Sequence, residues 1–518
     1  MSHKVNLPHG WLQLQIEDMY SMPGDDIVDG LFGSNLKASE YVSTGIPIVR
    51  LQNIDRNRFV NKNIQYVTSK KAEELIRHTF VPGDILITKL GDPLGKACLA
   101  PSSLKKGVLV ADVVRARLTH EWIDRRFLCY QINADNIAEQ FKNQTKGTTR
   151  PRVNLTKIRS LEARLCPLPE QTRIVAKLEE LFSDLDTGVA ELEAAQKTLG
   201  QYRQSLLKAA VEGALTADWR QRNPPTETGA QLLERILTER RSRWEARQLA
   251  KFKEQGKVPP KDWKSKYPEP AKPDATGLQE LPQGWVWSSI GQCFHVAVGA
   301  TPSRKEPGYW NGDIPWVSSG EVQFSRITMT KENITEDGLS NSSTRINPIG
   351  SVMLGMIGEG KTRGQVSILD IEAANNQNCA AIWVSETEIL PEYVYFWLWS
   401  RYDQTRKGSS GNNQPALNKS IIESIPFPLP PLEELKMLVA LLASAMDQAL
   451  NQEKALETSL KQSAAQRKNI LKAAFSGQLV PQDPADEPAS VLLERIRAER
   501  EARGLVKKPR GRKTKEPA

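Results

Sequence analysis

The sequence predicts a mixed α/β (α+β) protein made of two similar globular copies, separated by two long antiparallel coiled-coil helices with pseudo-two-fold symmetry. Three observations predict it: an ordered set of motifs that occurs twice, leucine heptads after each copy, and short β-branched runs flanked by helical patterns inside each copy.

The duplication comes first. Leu7-Pro-His-Gly-Trp11 returns as Leu281-Pro-Gln-Gly-Trp285, Gly45-Ile-Pro-Ile-Val49 as Asp313-Ile-Pro-Trp-Val317, and Gly83-Asp-Ile-Leu86 as Gly350-Ser-Val-Met353. Further on, Cys166-Pro-Leu-Pro169 returns as Phe427-Pro-Leu-Pro430, Leu206-Leu-Lys-Ala-Ala210 as Ile470-Leu-Lys-Ala-Ala474, and Leu232-Leu-Glu-Arg-Ile236 as Leu492-Leu-Glu-Arg-Ile496. The offset between copies drifts from 274 to 260 but holds at 264 from Ile174/Leu438 to Leu215/Leu479, and a constant register over some forty residues marks one uninterrupted element.

That element reads as a helix. Leu178, Leu185, Leu192, Leu199 and Leu206 recur at intervals of seven, joined at the alternate core positions by Leu181, Ala195 and Tyr202. The second copy carries Leu442, Ala449, Leu456, Ser463 and Ile470 at the same five places, a thinner seam that suits a richer partner. Each helix would be about 60 Å long at 1.5 Å per residue, and packing the two copies against each other, antiparallel, is the economical way to cover both stripes. Gly213 and Gly477 are the expected helix stops.

The resulting division is 1–165 and 276–430 for the globular copies, 166–220 and 431–480 for the long helices, 221–275 for a short helix (229–254) with a basic linker, and 481–518 for a second short helix with a basic, disordered tail. Strands are expected at Ile46–Leu51, Asp84–Thr88, Val108–Leu118, Ile314–Val317, Ser351–Met356 and Gln365–Leu369, with helices at Trp122–Gln140 and Pro391–Arg406.

At 518 residues, with 39% hydrophobic and 25% charged residues and a mean hydropathy of -0.46, the composition is that of a globular protein with real cores. No apolar run approaches the ~20 residues a bilayer needs. Five cysteines, far apart, fit neither a disulfide framework nor a zinc clamp, and the start MSHKVNLPHGW lacks an apolar leader, so a cytoplasmic location is expected. The formal charge of +9 is uneven: +7 over 1–165, +5 over 221–275 and +6 over 500–518, against -4 over 276–430. Nucleic acid is the partner class this suggests.

Catalytic motifs do not survive inspection. Gly355-Met-Ile-Gly-Glu-Gly-Lys361-Thr362 satisfies the P-loop expression, but a strand pattern follows where a helix must begin, so it reads as a strand-turn-strand loop. Asn223-Pro224-Pro225 has Thr226 where an adenine methyltransferase motif has an aromatic residue, and reads as a helix terminator. Asp337 with Glu359-Gly-Lys361 matches a nuclease triad only loosely, and the five histidines form no spaced pair, so neither a catalytic nor a metal site is expected.

Polar, basic loops do recur at matched places. They are Arg50, Gln52, Asn53, Lys89, Lys96, Lys146, Thr148, Thr149, Arg150 and Arg152 in the first copy. In the second they are Thr301, Ser303, Arg304, Lys305, Ser318, Ser319, Lys361, Arg363, Lys407, Asn412, Asn413 and Gln414. Arg and Lys suit guanine, Asn and Gln suit adenine, and small hydroxyls suit close approach to phosphate, so these are the candidate DNA-binding residues.

The ordered set resembles the specificity subunit of type I restriction-modification systems over nearly the whole chain. It is carried by Thr301-Pro302-Ser303 with Tyr309-Trp310 and Ile314-Pro315-Trp316-Val317, by Pro169-Glu170-Gln171 before Ile174, and by Leu207-Lys208-Ala209-Ala210 to Gly213. The sequence departs from the pattern where the second helix entry, PLPPLEEL, has Leu435 in place of Gln171, and where the first copy has no TPS loop. The resemblance implies two target recognition domains that each read half of a bipartite asymmetric DNA sequence, on a chain without catalysis of its own. It implies as partners double-stranded DNA, two methyltransferase subunits using S-adenosylmethionine to methylate adenine, and restriction subunits using ATP and magnesium, with no cofactor on this chain. The alternative from the residues alone is a coiled-coil scaffold that organises protein partners.

Overall fold

The computed structural model describes residues 7–31, 36–143, 151–274, 276–358, 361–407 and 417–503. It divides into two compact units, one drawn from residues up to 193 and from 457 onward, the other from 194 to 456. Each unit holds one globular copy, one end of both long helices, and the short helix that follows the other copy in sequence.

In the first unit, strands Ile27–Asp29, Val113–Ala116, Ile85–Thr88 and Ala97–Leu99 lie side by side in that order, all antiparallel. A second sheet runs Gln65–Val67, Ile46–Val49, Gly107–Leu109, Thr79–Phe80. The second unit repeats both sheets. His295–Val298, Cys379–Trp383, Val352–Gly355 and Val366–Leu369 follow the same order, with Ser325–Ile327 added at the edge, and Glu332–Ile334, Trp310–Val317 and Ala374–Asn375 form the companion sheet. Even the parallel pairing of Ile46–Val49 with Gly107–Leu109 recurs, between Trp310–Val317 and Ala374–Asn375.

The first and last strands of each copy pair antiparallel, Leu12–Gln15 with Glu162–Leu165 and Val286–Ser289 with Pro426–Leu429. Both ends of each copy therefore meet at the start of a long helix. The LP-x-GW motif explains itself here. Trp11 and Trp285 donate backbone N–H groups to the Pro8 and Pro282 carbonyls at 3.2 and 3.1 Å. Gly10 and Gly284 occupy the third place of the turn at φ 78° and 87°, a conformation that favours glycine. Each turn throws its indole inward, where Trp11 Nε1 donates to Glu170 Oε2 and Trp285 Nε1 to Glu434 Oε2, both at 3.0 Å.

The long helices span Leu168–Val211 and Leu432–Phe475, 44 residues each. In the first unit Ile174, Val175, Leu178 and Phe182 pack with Leu471, Ala474 and Phe475, and Arg467 pairs with Asp186 while its guanidinium covers the Phe182 ring at 4.4 Å. In the second unit Leu207, Ala210 and Val211 pack with Leu435, Leu438, Val439, Leu442 and Met446, and Arg203 pairs with Glu453 at 2.8 Å. Partner numbers fall as a helix's own numbers rise, so the pairing is antiparallel as predicted. Leu178 and Leu442 are fully buried, whereas Leu185, Leu192, Leu199, Leu206, Leu456 and Ile470 are partly buried. Ala195 and Tyr202, expected in the seam, lie exposed instead, because two helices alone cover only a narrow stripe.

The short helices close each unit. Gly229–Glu254, the range expected, buries Leu232 and Ile236 in the core of the second copy, and Ala489–Ala502 buries Leu492 and Ile496 in the core of the first. Gly229 N–H donates to the Gly284 carbonyl at 2.7 Å and Ala489 N–H to the Gly10 carbonyl at 2.9 Å.

Three expected elements divide, among them Pro391–Arg406, which is two helices, Pro391–Ser400 and Tyr402–Lys407, separated at Arg401. Trp122–Gln140 is two helices, Arg125–Ile132 and Asp135–Asn143, because Asn133 turns its amide onto the Ala97 backbone and the Cys129 carbonyl. Val108–Leu118 is two strands that join different sheets across a turn. Asn223 ends the helix Ala217–Arg222 as expected, its Nδ2 donating to the Trp219 carbonyl at 2.7 Å. All five cysteines are buried and unpaired, and burial pushes the Cys98, Cys293 and Cys379 thiols up to about 12.

The buried carboxylates differ between copies. Glu434 accepts from the Thr216 hydroxyl at 2.7 Å and from Arg220 Nε at 2.9 Å, whereas Oε1 of Glu170 has no partner among the described residues. Burial raises the Glu170 carboxyl, against the Trp11 hydrogen bond and the Arg173 charge. A carboxyl raised in the fold contributes stability at low pH that is lost as pH rises through its folded value. Glu170→Gln, which keeps an acceptor for Trp11, is therefore expected to raise the melting temperature at pH 8 and leave it unchanged near pH 4. Glu434→Gln leaves Arg220 without its carboxylate and is expected to cost about 1–3 kcal/mol at pH 7. Thermal denaturation of both variants across pH checks the contrast.

Candidate nucleic-acid interface

In the first unit a tight turn, Leu51–Asn53, follows the strand Ile46–Val49. Gln52 is exposed on it. Asn53 is not: it is fully buried, accepts from Arg50 N–H at 3.0 Å, and donates to the Val60 and Lys62 carbonyls at 3.0 and 2.9 Å. Arg50 reaches across the loop to the Asn63 carbonyl at 2.6 Å. These two residues, expected to touch DNA, thus build the loop that presents Gln52.

Lys89 requires the same correction. It is 4% exposed with its Nζ 2.7 Å from Asp29 Oδ2, a pair that a surface reading of the sequence misses. Lys96 Nζ stands 3.1 Å from Asp55, and although burial works to raise that carboxyl, hydrogen bonds from the Lys96 ammonium and the Arg56 backbone N–H hold it below the usual carboxylate range. Asp55 opens a hairpin, Ile54–Asp55 with Arg58–Phe59, whose turn carries Asn57 at φ 54°. Arg56 and Arg58 on this hairpin and Lys62 beyond it are exposed, and none was expected. The signal was the basic pair flanking a turn-forming asparagine. Arg152 pairs with Asp112. Lys146, Thr148, Thr149 and Arg150 lie outside the described residues.

In the second unit the TPS loop rests on two indoles. Trp310 Nε1 donates to the Ser303 carbonyl at 3.2 Å and Trp316 Nε1 to the Ala300 carbonyl at 3.1 Å. Arg304 lies over both rings, 3.7 and 5.4 Å from their centroids, and bonds bidentately to Glu332, whose carboxyl that hydrogen bond holds below its ordinary value. Both outer nitrogens of Arg304 are thereby occupied, which makes it a fixed strut. Ser303 and Lys305 are exposed beside it.

Thr301 Oγ1 donates to Gln377 Oε1 at 2.5 Å, and one residue further the Asn378 carbonyl accepts from Met356 N–H at 2.8 Å. The TPS loop and the loop after strand Val352–Gly355 are thus neighbours. No helix follows Thr362: the chain returns as the antiparallel strand Val366–Leu369, with Gly364 N–H 2.8 Å from the Gly355 carbonyl. Lys361 is exposed, Arg363 half-buried, and the Lys361 carbonyl accepts from the Tyr402 hydroxyl at 2.7 Å. Ser318 bonds to Glu321 through its N–H and its hydroxyl, both at 2.8 Å, and Ser319 continues that turn. Lys407 ends the helix Tyr402–Lys407 with its side chain outside the described residues, as are Asn412, Asn413 and Gln414.

Among the described residues no group of three or more His, Cys, Asp or Glu side chains is placed to hold a metal ion, and no helix is long and apolar enough to cross a membrane.

One scaffold used twice, with unlike loop chemistry on each copy, defines a paired recognition protein. Residues 34–194 and 282–462 match the family described as the type I restriction modification DNA specificity domain. These stretches make up more than half of the chain, which belongs to that family. It is similar to the type I restriction enzyme EcoDI specificity subunit of Escherichia coli, 24% identical over 392 residues, 74% of this chain and 78% of that protein. It is also similar to the EcoBI specificity subunit of Escherichia coli, 23% identical over 525 residues, 98% of this chain and 96% of that protein. Its fold is similar to a chain solved in work on "complex assembly and conformational transition of the type I R-M system", with a TM-score of 0.61 and 18% identity over 92% of this chain and 100% of that one.

The two roles in the first loop separate by mutation. Asn53→Ala leaves two buried carbonyls unpaired and is expected to cost about 1–3 kcal/mol. Gln52→Ala is expected to leave the melting temperature unchanged. Thermal denaturation of both variants tests this.

Proposed function

We propose that the chain supplies DNA sequence specificity to a type I restriction-modification complex, each globular copy reading one half of a bipartite asymmetric sequence. The observation that carries this is the duplication itself. The shared strands recur in the same order, while the loops differ: after Ile46–Val49 a buried Asn53 clamp presents Gln52, after Trp310–Val317 Ser318 is bonded to Glu321 instead, and the second copy adds the TPS loop with Ser303 and Lys305 beside an arginine locked over two tryptophans. A shared frame with unlike loops suits two unlike half-sites.

On this reading the chain performs no chemistry. Methyltransferase subunits carrying S-adenosylmethionine methylate adenine, and restriction subunits bring ATP and magnesium, all in the cytoplasm. Methyl transfer from labelled S-adenosylmethionine by the purified chain alone would refute that division of labour.

Replacing residues 1–155 with the matching part of a relative is expected to change one half of the methylated motif and leave the other intact. A change in both halves would overturn independent reading. The long helices would set the gap between halves, so a seven-residue insertion in both, at matched points of the seam, is expected to lengthen the unspecified gap by about three base pairs (about 10.5 Å of helix at 1.5 Å per residue, against 3.4 Å per base pair). An active variant keeping the original gap would show that another element fixes it.

A further inference from the structure

The fold repeats, but its charge does not. The first globular copy carries +7 over residues 1–165 and the second -4 over 276–430. An acidic domain approaching a polyanion meets repulsion, and the second copy must find compensation elsewhere.

We propose that residues 240–272 form a basic platform that grips the DNA backbone, independently of sequence, on behalf of the second copy. This rests on the reading of the chain as a DNA-specificity subunit. The segment holds eleven Lys and Arg against four Asp and Glu, a net +7. It is built, not merely charged. Trp244 stacks on Trp263 with centroids 5.9 Å apart, Tyr267 meets Trp244 edge-on at 5.4 Å, and Phe252 meets Trp263 at 6.2 Å. This small aromatic core folds the chain after Glu254 back along the helix Gly229–Glu254.

Among the described residues the other copy has no such core. Its short helix ends at Ala502, and residues 504–518 contain no aromatic side chain.

Most of the acids within the segment are already engaged. Glu245 pairs with Lys264 at 3.0 Å and Arg241 at 3.4 Å, Glu269 with Arg241 at 3.7 Å, and Asp262 with Lys266 at 3.6 Å. Lys251, Lys253, Lys257, Lys261 and Lys272 are exposed and make no ion pair among the described residues. Flexible ammonium groups of this kind suit phosphates, which position a protein on DNA, rather than base edges, which specify sequence.

The platform is fixed to the domain it serves. Arg240 donates to the Gly291 carbonyl and, at 3.1 Å, to the Phe294 carbonyl, while Arg247 pairs with Glu386 at 2.9 Å. The strand His295–Val298 starts at this anchorage and leads directly to the TPS loop, roughly 13 Å away at 3.3 Å per residue. Burial, followed by the Lys419 charge, pushes the His295 imidazole down to about 4, as suits a neutral ring under a cationic surface.

The test compares the full chain, in its assembled complex, with a variant in which Lys251, Lys253, Lys257, Lys261 and Lys272 are all replaced by Gln. The probe is a 60-base-pair duplex of random sequence titrated over a range of salt. A control variant replaces Lys197, Lys208, Lys461, Lys468 and Lys472 of the long helices, an equal change in net charge. The platform variant is expected to bind about tenfold more weakly near 100 mM salt, with the slope of log K against log salt shallower by at least about 2, at about 0.9 for each phosphate no longer neutralised. The control is expected to keep the parental slope. Parental affinity and slope in the platform variant, or equal losses in both variants, would overturn the proposal. So would unchanged DNA binding with weakened assembly, which would assign the surface to an acidic protein partner instead. A parental complex that binds no duplex at any salt would defeat the DNA-specificity reading itself, a distinct outcome.

Discussion

A hydrogen bond between a buried indole and a buried carboxylate holds each half of this protein to its long helix. Trp11 with Glu170, and Trp285 with Glu434, join the turn that opens a globular copy to the first turn of the helix that leaves it. Each depends on a glycine that lets the turn close and on a two-stranded pair that brings the ends of the copy together. Everything beyond is organised around that junction: the sheets hang from one side of it, the helix starts on the other, and the short helix of the opposite copy bonds to the same glycine's carbonyl.

Such a junction tolerates variation away from itself. Glu434 gains Thr216 and Arg220, while at the positions related by the constant offset of 264 the first copy's junction has Val480 and Pro484, and Glu170 relies on Trp11. The loops diverge further: Asn53 holds its loop through the Val60 and Lys62 carbonyls, while the TPS loop is held by Trp310 and Trp316. Recognition surfaces can therefore change while the frame is kept, which is what a protein with two different targets requires.

Much of the frame was legible in the sequence because it is periodic or duplicated. Heptads announced the long helices, repeated LLERI segments announced the short ones, and LP-x-GW marked the junction before its purpose was visible. The site was less legible. Asn53 and Lys89 look like surface polar residues in one dimension, yet each is consumed by a partner that only folding supplies, the Val60 and Lys62 carbonyls in one case and Asp29 in the other. Asn133 likewise breaks a helical pattern because its amide is needed by Ala97, thirty-six residues earlier. Conversely, Arg56 and Arg58 carry only a short local signal, a turn-forming asparagine between two basic residues, which periodicity and duplication do not register. Periodicity reports which face is buried; it does not report which polar group meets which.

As proposed, two unlike readers on one repeated frame divide a DNA sequence between them. Mapping methylated adenines across the genome of a host that carries this chain with its methyltransferase partner tests it most directly. A single motif with two dissimilar defined parts separated by a fixed run of unspecified bases is expected, and a continuous or palindromic motif would contradict that division.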